Sequence, residues 1–190
     1  MARAVKYGEG REVLIESAVR VVAEKGLRGL TFRAVAERAQ VNNSLVAHHF
    51  GNREALLSAA LEWAVERSIA LTRLPDFESE EGFADALLTS IRSSPELQAF
   101  QYEMILEARR NPVFRAPVEH LYRRYAEAMQ QGLLHLGYDE NSEGPSRHAF
   151  AALDGLVLQY MAGVEESSIR AGLADLWHGL VARAPRTAAN

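Results

Sequence analysis

Residues 31–57, TFRAVAERAQVNNSLVAHHFGNREALL, hold two short amphipathic stretches joined by a tight polar turn, followed at once by the start of a long helix. Stretches as short as 31–38 and 42–49 bury too little alone, so they are stable only if they cross closely and share a core. That crossing needs slim apolar residues. Val35, Ala36, Ala39, Val41 and Val46 meet the need, with Phe32 and Phe50 sealing the outer edges. A crossed pair whose second helix turns small polar residues outward is the arrangement that enters a DNA major groove. The outward set here is Asn42, Asn43, Ser44, Ala47 and His48.

The rest of the chain reads as helix after helix, because apolar positions recur at helical spacing and strand signals are nearly absent. A first helix spans 9–25, with the stripe Leu14, Ala18, Val21, Val22 and a stop at Gly26. Thr31 is a good N-cap for the second helix. Asn52 caps a long helix to about residue 71, with Leu57, Leu61, Ala64, Val65, Ser68 and Leu71 on one side. Pro75 and the acidic run 76–81 end it. Further helices are expected at 81–92, 95–110, 112–136, 146–162 and 168–183, with Pro117 as the alternative start of the third. The expected architecture is therefore all-α. A three-helix DNA-binding head covers 8–68, with its helix-turn-helix at 31–50. A helical bundle for ligand binding and dimerisation covers 75–184, and 185–190 form a disordered tail.

A chain of 190 residues, 48% hydrophobic, buries a substantial core, and the absence of Cys excludes disulfides and thiolate metal sites. No apolar run approaches the ~20 residues needed to cross a bilayer. The charged N-terminus lacks the apolar core of a secretory signal, so a cytoplasmic protein with no membrane contact is expected. Charge is uneven. Residues 1–53 carry nine Lys/Arg against five Asp/Glu, a net of +4, and the remainder twelve against twenty, a net of −8. A basic head on an acidic body suits polyanion binding by the head alone.

No spacing matches a nucleophile elbow, a phosphate loop or an HExxH site, so no enzyme and no cofactor are expected. His48 and His49, adjacent on a helix, point about 100° apart and make no shared metal face. One on the groove side and one packed inward is the expected arrangement.

In the head, Asn and Ser offer hydrogen bonds to base edges or phosphates. Thr31 presents a hydroxyl beside helix N–H groups, and Arg33, His48 and Arg53 are the natural phosphate contacts. The Thr-led second helix, Val41, the short third helix and the series His49-Phe50-x-x-Arg53-Glu54-x-Leu56 resemble the tetracycline-repressor (TetR) family. The close resemblance spans residues 9–71. It implies a homodimer that places 42–48 of each subunit in the major groove of a pseudo-palindromic double-stranded operator. It also implies a C-terminal pocket for a small hydrophobic or amphipathic effector whose binding releases DNA. Two positions depart from the family pattern. Gln40 stands where Gly is usual, which asks a non-Gly residue to adopt positive φ, and Ala47 replaces a Tyr that commonly contacts the DNA backbone. Those departures are the support for the alternative class, an all-α small-molecule-binding protein or enzyme whose head has lost DNA binding.

The body is rich in aromatics and methionines. Trp63, Phe100, Tyr102, Met104, Phe114, Tyr122, Tyr125, Met129 and the polar Gln159 are the candidate pocket lining, although plain core explains the apolar ones equally. Gln98, Glu103, Arg109, His120 and Asp154 are polar positions able to orient a ligand. The last two helices carry broad stripes: Phe150, Leu153, Val157 and Tyr160, then Leu173, Leu176, Trp177 and Leu180. With Gly155 for close approach, they are the candidate dimer interface, a core pair being the alternative.

Overall fold

The computed structural model describes residues 9–73 and 79–185. Among them are nine α-helices and no strand: α1 (Glu9–Gly29), α2 (Phe32–Ala39), α3 (Asn43–Phe50), α4 (Arg53–Thr72), α5 (Glu80–Ser93), α6 (Pro95–Arg110), α7 (Arg115–His135), α8 (Glu143–Met161) and α9 (Glu166–Arg183). The all-α expectation holds. Half of the acidic run, residues 76–78, and almost all of the expected tail, residues 186–190, lie outside the described residues.

Helix starts and stops follow the capping chemistry of the sequence. α1 is interrupted at Gly26, whose φ of 67° and ψ of 174° break the helical path. Thr31 caps α2, its Oγ1 accepting from the Ala34 N–H at 3.0 Å. Asn52 caps α4 through Oδ1, which accepts from the Ala55 N–H at 2.8 Å. The stretch after Asn111 differs from a single helix. A 3₁₀ turn (Pro112–Phe114) comes first, and α7 opens at Arg115, two residues ahead of Pro117. Pro117 is tolerated there because first-turn N–H groups have no helical partner. α8 likewise starts at Glu143, with Pro145 inside its first turn.

The helices group into two compact units. The first holds α1 to α3, α4 through Ser68, α6 and the start of α7 as far as Leu121. α1 packs on α6 and α2, and α2 packs on α3. Its core joins Leu14, Ala18, Val21 and Val22 to Val35, Ala36, Val46 and Phe50, with Leu56, Leu57, Leu61 and Ala64 from α4. Phe32, Ala39 and Val41 are half-buried at the edges. Ser68 is fully buried on the apolar side of α4, and the Gln101 Nε2 donates to its hydroxyl at 3.0 Å.

The second unit holds the end of α4, α5, the rest of α7, α8 and α9. α9 packs on α8 and α5, burying Ile169, Leu173, Trp177 and Leu180 with Leu87, Leu88, Ile91, Leu153 and Val157. Gly172 marks a close approach of α9 to α8: a Cβ there would sit 2.7 Å from the Leu156 Cδ2.

Candidate nucleic-acid interface

The turn between α2 and α3 sets the angle of the outward helix. Gln40 adopts the left-handed conformation (φ 55°, ψ 40°), as its place in the turn requires. Its N–H donates to the Glu37 carbonyl at 3.3 Å, and the Val41 N–H donates to the Ala36 carbonyl at 3.0 Å. Those two bonds close a Schellman cap, so the turn forms fully without glycine.

α3 is eight residues long, roughly 12 Å. Val46 and Phe50 are buried against the core, and Leu45 and His49 are half-buried. Asn43, Ser44, Ala47 and His48 are exposed, and their i, i+1, i+4, i+5 spacing places them on one face. Asn42 caps the helix: its Oδ1 accepts from the Ser44 N–H at 2.9 Å and from the Ser44 hydroxyl at 3.0 Å. That leaves the Asn42 amide NH₂ as its remaining hydrogen-bonding group. The His48 and His49 rings meet edge-on, 5.6 Å apart. Among the described residues no cluster of three or more metal-ligating side chains occurs.

Thr31 is exposed, and its hydroxyl proton is left to donate while the oxygen caps α2. Arg33 is also exposed and holds Glu37 through Nε at 2.8 Å. Such an exposed i,i+4 pair is weak, so the Arg33 guanidinium can exchange Glu37 for another anion at little cost. Arg38 is committed elsewhere: two guanidinium nitrogens donate to Glu24 at 2.6 and 2.7 Å, tying α2 to α1. That bidentate bond holds the Glu24 carboxyl below the usual carboxylate range.

Arg53 departs from its expected part as an outward phosphate contact. Its side chain is half-buried, the Nη2 donating to the Leu27 carbonyl at 2.6 Å and the Nε to the Leu30 carbonyl at 3.3 Å. The connection after Gly26 leaves carbonyls without helical donors, and Arg53 supplies them. The bare connection Gly26-Leu27-Arg28-Gly29-Leu30 was the available signal for that role. Sequence reasoning also passed over Arg11, whose guanidinium lies 5.3 Å above the Phe50 ring.

The candidate pocket residues belong to different units. In the first, Phe100, Met104 and Phe114 are wholly buried, and Tyr102 is half-buried. Trp63 is half-buried, its Nε1 donating to Glu12 at 3.3 Å. In the second, Met129 is wholly buried, and Tyr125 stacks on Phe150 at 4.7 Å with an interplanar angle of 11°. Tyr122 meets Phe150 edge-on; burial and then the Asp154 charge push its phenol upward. Gln159 is exposed. The buried members are therefore core. Among the described residues of the first unit, a groove of about 400 Å³ opens between α4 and α7, lined by Ser58, Leu61, Glu62, Val65, Pro117 and His120 among others.

The candidate dimer stripes divide as well. Leu153, Val157, Leu173, Trp177 and Leu180 are buried within the subunit, so their expected placement at an interface is corrected to the core of the second unit. A helical stripe records that a face is covered, and here the chain's own helices cover it. Phe150 is held by its stack on Tyr125, and Tyr160 is half-buried. Gly155 and Leu176 line an open groove of about 450 Å³ along α8 and α9 with Ala151, Leu156, Gly172 and Gly179. A Cβ on Gly155 would meet nothing within 4 Å in its own chain.

Residues 78–183 match the family described as "Tetracyclin repressor-like, C-terminal domain", and residues 14–60 match "Bacterial regulatory proteins, tetR family". The chain is 27% identical over 170 residues to the HTH-type transcriptional regulator BetI of Rhizobium meliloti, covering 86% of this chain and 84% of that one. A TetR transcription regulator from Haloarcula marismortui shares the fold, with a TM-score of 0.73 at 17% identity over 93% of this chain and 98% of that one. The multidrug binding protein EbrR, complexed with imidazole, superposes with a TM-score of 0.64 at 27% identity, over 87% of this chain and 93% of that one. EbrR is also known complexed with proflavin.

Proposed function

The chain belongs to the tetR family of bacterial regulatory proteins, and from that premise we propose a dimeric, ligand-released repressor of a pseudo-palindromic operator. It is a DNA-binding transcriptional regulator and not an enzyme. Residues 8–68 serve as the DNA-binding domain and 75–184 as the ligand-binding and dimerisation domain, in the cytoplasm. No helix among the described residues is long and apolar enough to cross a membrane.

The observation that carries the reading is the face of α3. A capped helix buries Val46 and Phe50 and leaves Asn43, Ser44, Ala47 and His48 exposed, all short enough for close groove entry. Thr31, Arg33 and His48 hold phosphates, and Asn42 adds its amide NH₂. Arg53 acts from behind by fixing the α1–α2 connection. Of the two departures behind the alternative of a head without DNA binding, Gln40 drops out because it forms the turn in full, which leaves Ala47 as its one support.

Dimerisation is assigned to the small-residue face of α8 and α9, where Gly155 and Gly179 let a second copy approach. The effector is a small hydrophobic or amphipathic molecule, a reading supported by the EbrR complexes with imidazole and proflavin. The groove of about 400 Å³ between α4 and α7, apolar with Glu62 and His120 on its lining, is the position the geometry favours for it.

A gel shift against the chain's own upstream region tests the core of this reading. Two half-sites about 34–36 Å apart, or a small multiple of that, are expected. Affinity should fall with salt at a slope near −0.9 for each neutralised phosphate. Asn43→Ala should weaken the specific shift by about tenfold or more while the melting temperature holds. No binding of operator-length DNA at low salt would overturn the reading.

A further inference from the structure

The outward face of α3 carries one apolar side chain, Ala47, among exposed polar neighbours. One turn earlier stands Asn43. The cap involves Asn42 and Ser44, each occupied with the other, and leaves Asn43 outside it. The face therefore offers one carboxamide with both its donor and its acceptor to give, and one bare methyl. We propose that Asn43 reads an adenine and that Ala47 reads a nearby thymine through its C5-methyl group, which makes A·T pairs the specificity-determining centre of each half-site.

The chemistry of the base edges supports the assignment. Adenine alone presents a neighbouring acceptor and donor, N7 and N6, that match a carboxamide in two hydrogen bonds, and thymine alone presents a methyl group to the major groove. Ala47 has no polar atom with which to read any other base. Its single carbon also lets the α3 backbone approach until methyl meets methyl, which a longer side chain prevents. Residues four apart on a helix are separated by about 6 Å along its axis. Stacked bases rise about 3.4 Å each, so the adenine and thymine lie within about two steps of each other. His48, which flanks these two on the same face, can hold a phosphate or either kind of base, and Ser44, whose hydroxyl donates to Asn42, keeps only its oxygen as an acceptor.

This inference rests on the reading of α3 as the groove helix, and its test separates the two. The full-length protein is first used to select duplexes from a random pool. The selected operator is then remade with uracil replacing thymine, one position per half-site at a time. Loss of one buried methyl contact is worth about 0.8 kcal/mol, or about fourfold in affinity per half-site. Wild-type protein should show that loss at one thymine, and A47G should bind thymine and uracil operators alike. A47S serves as a second variant that keeps the helix firm and should also lose the thymine preference. N43A should relax selection at the adenine by about tenfold or more. A half-site insensitive to uracil at every thymine, or an A47G protein as sensitive as wild type, overturns the inference and leaves the regulator intact. Failure to enrich any duplex sinks both.

Discussion

The two units of the chain are held together by different kinds of bond. In the first, caps fix the helix ends: Thr31, Asn42 and Asn52 each close a helix start, and Gln40 closes a helix end. Arg53 then binds the connection after Gly26. In the second unit the ties run between residues far apart in sequence. Arg92 meets Glu166 at 2.6 Å, Arg170 meets Asp85 at 2.8 Å, and His178 meets Glu80 at 3.0 Å, all joining α5 to α9. A unit that must present eight residues at a fixed angle uses bonds that fix backbone direction. A unit fastened by exposed ion pairs is easier to shift, because such pairs are individually weak and screened by salt.

The contrast breaks most sharply at Arg53. Arg53→Ala removes two charge-assisted bonds to half-buried carbonyls, so unfolding by urea should show a loss of about 3 kcal/mol. Arg53→Lys should recover roughly half, since an ammonium reaches one carbonyl but lacks the fork. A wild-type unfolding curve for Arg53→Ala would remove the clamp from the account of the head. Phe150→Ala comes next. Losing its stack on Tyr125 from a half-buried position should cost about 2 kcal/mol. The cost should be the same at low and high protein concentration if Phe150 belongs to the subunit, and should grow on dilution if it belongs to the dimer interface.

Single caps sit a step lower. Asn52→Ala should destabilise by about 1 kcal/mol through loss of the bond to the Ala55 N–H. Gln40→Gly should act in the opposite direction, stabilising by about 1 kcal/mol, because glycine adopts φ 55° without the steric penalty that a Cβ brings. Thermal unfolding of both variants and their double mutant checks the pair. A destabilised Gln40→Gly would mean that the glutamine side chain contributes more than its backbone costs.

These same bonds explain what was legible in the sequence. Thr31, Asn42, Asn52 and Gly26 are local signals, each acting within four residues, and each marks a boundary where the structure has one. The slim residues Val35, Ala36 and Val46 were legible for the same reason, since a two-helix crossing needs them wherever it occurs. Arg53 was not, because its charge argues for phosphate as strongly as for a carbonyl 23 residues away. The α8 and α9 stripes were half-legible: Leu153, Leu173 and Trp177 show that a face is covered, and nothing in their spacing says whether by this chain or another. Of the glycines on the open side, Gly155 was legible as a point of close approach, whereas Gly179 was not, since small residues leave little trace in a hydrophobic pattern. The grouping of α6 with α1 depends on contacts across some eighty residues.

The smallest expected effect sharpens the second half of the comparison. Glu166 accepts from Arg170 on its own helix and from Arg92 on α5, and these bonds, Arg170 first, hold its carboxyl below the usual carboxylate range. A carboxyl with a depressed value in the folded chain binds its proton more readily when unfolded. Its contribution to stability is therefore present above the ordinary carboxylate range and disappears as pH falls through the folded value. Glu166→Gln should lower the melting temperature slightly at neutral pH and low salt. The gap to wild type should close on acidification and also at 1 M salt, where exposed pairs are screened. Arg53→Ala, whose partners are neutral carbonyls, should keep its full deficit under both conditions. If Glu166→Gln instead matches wild type at neutral pH and low salt, the α5–α9 attachment rests on the Phe83–Trp177 packing beneath the ion pairs, and the two units are fastened more alike than their charges indicate.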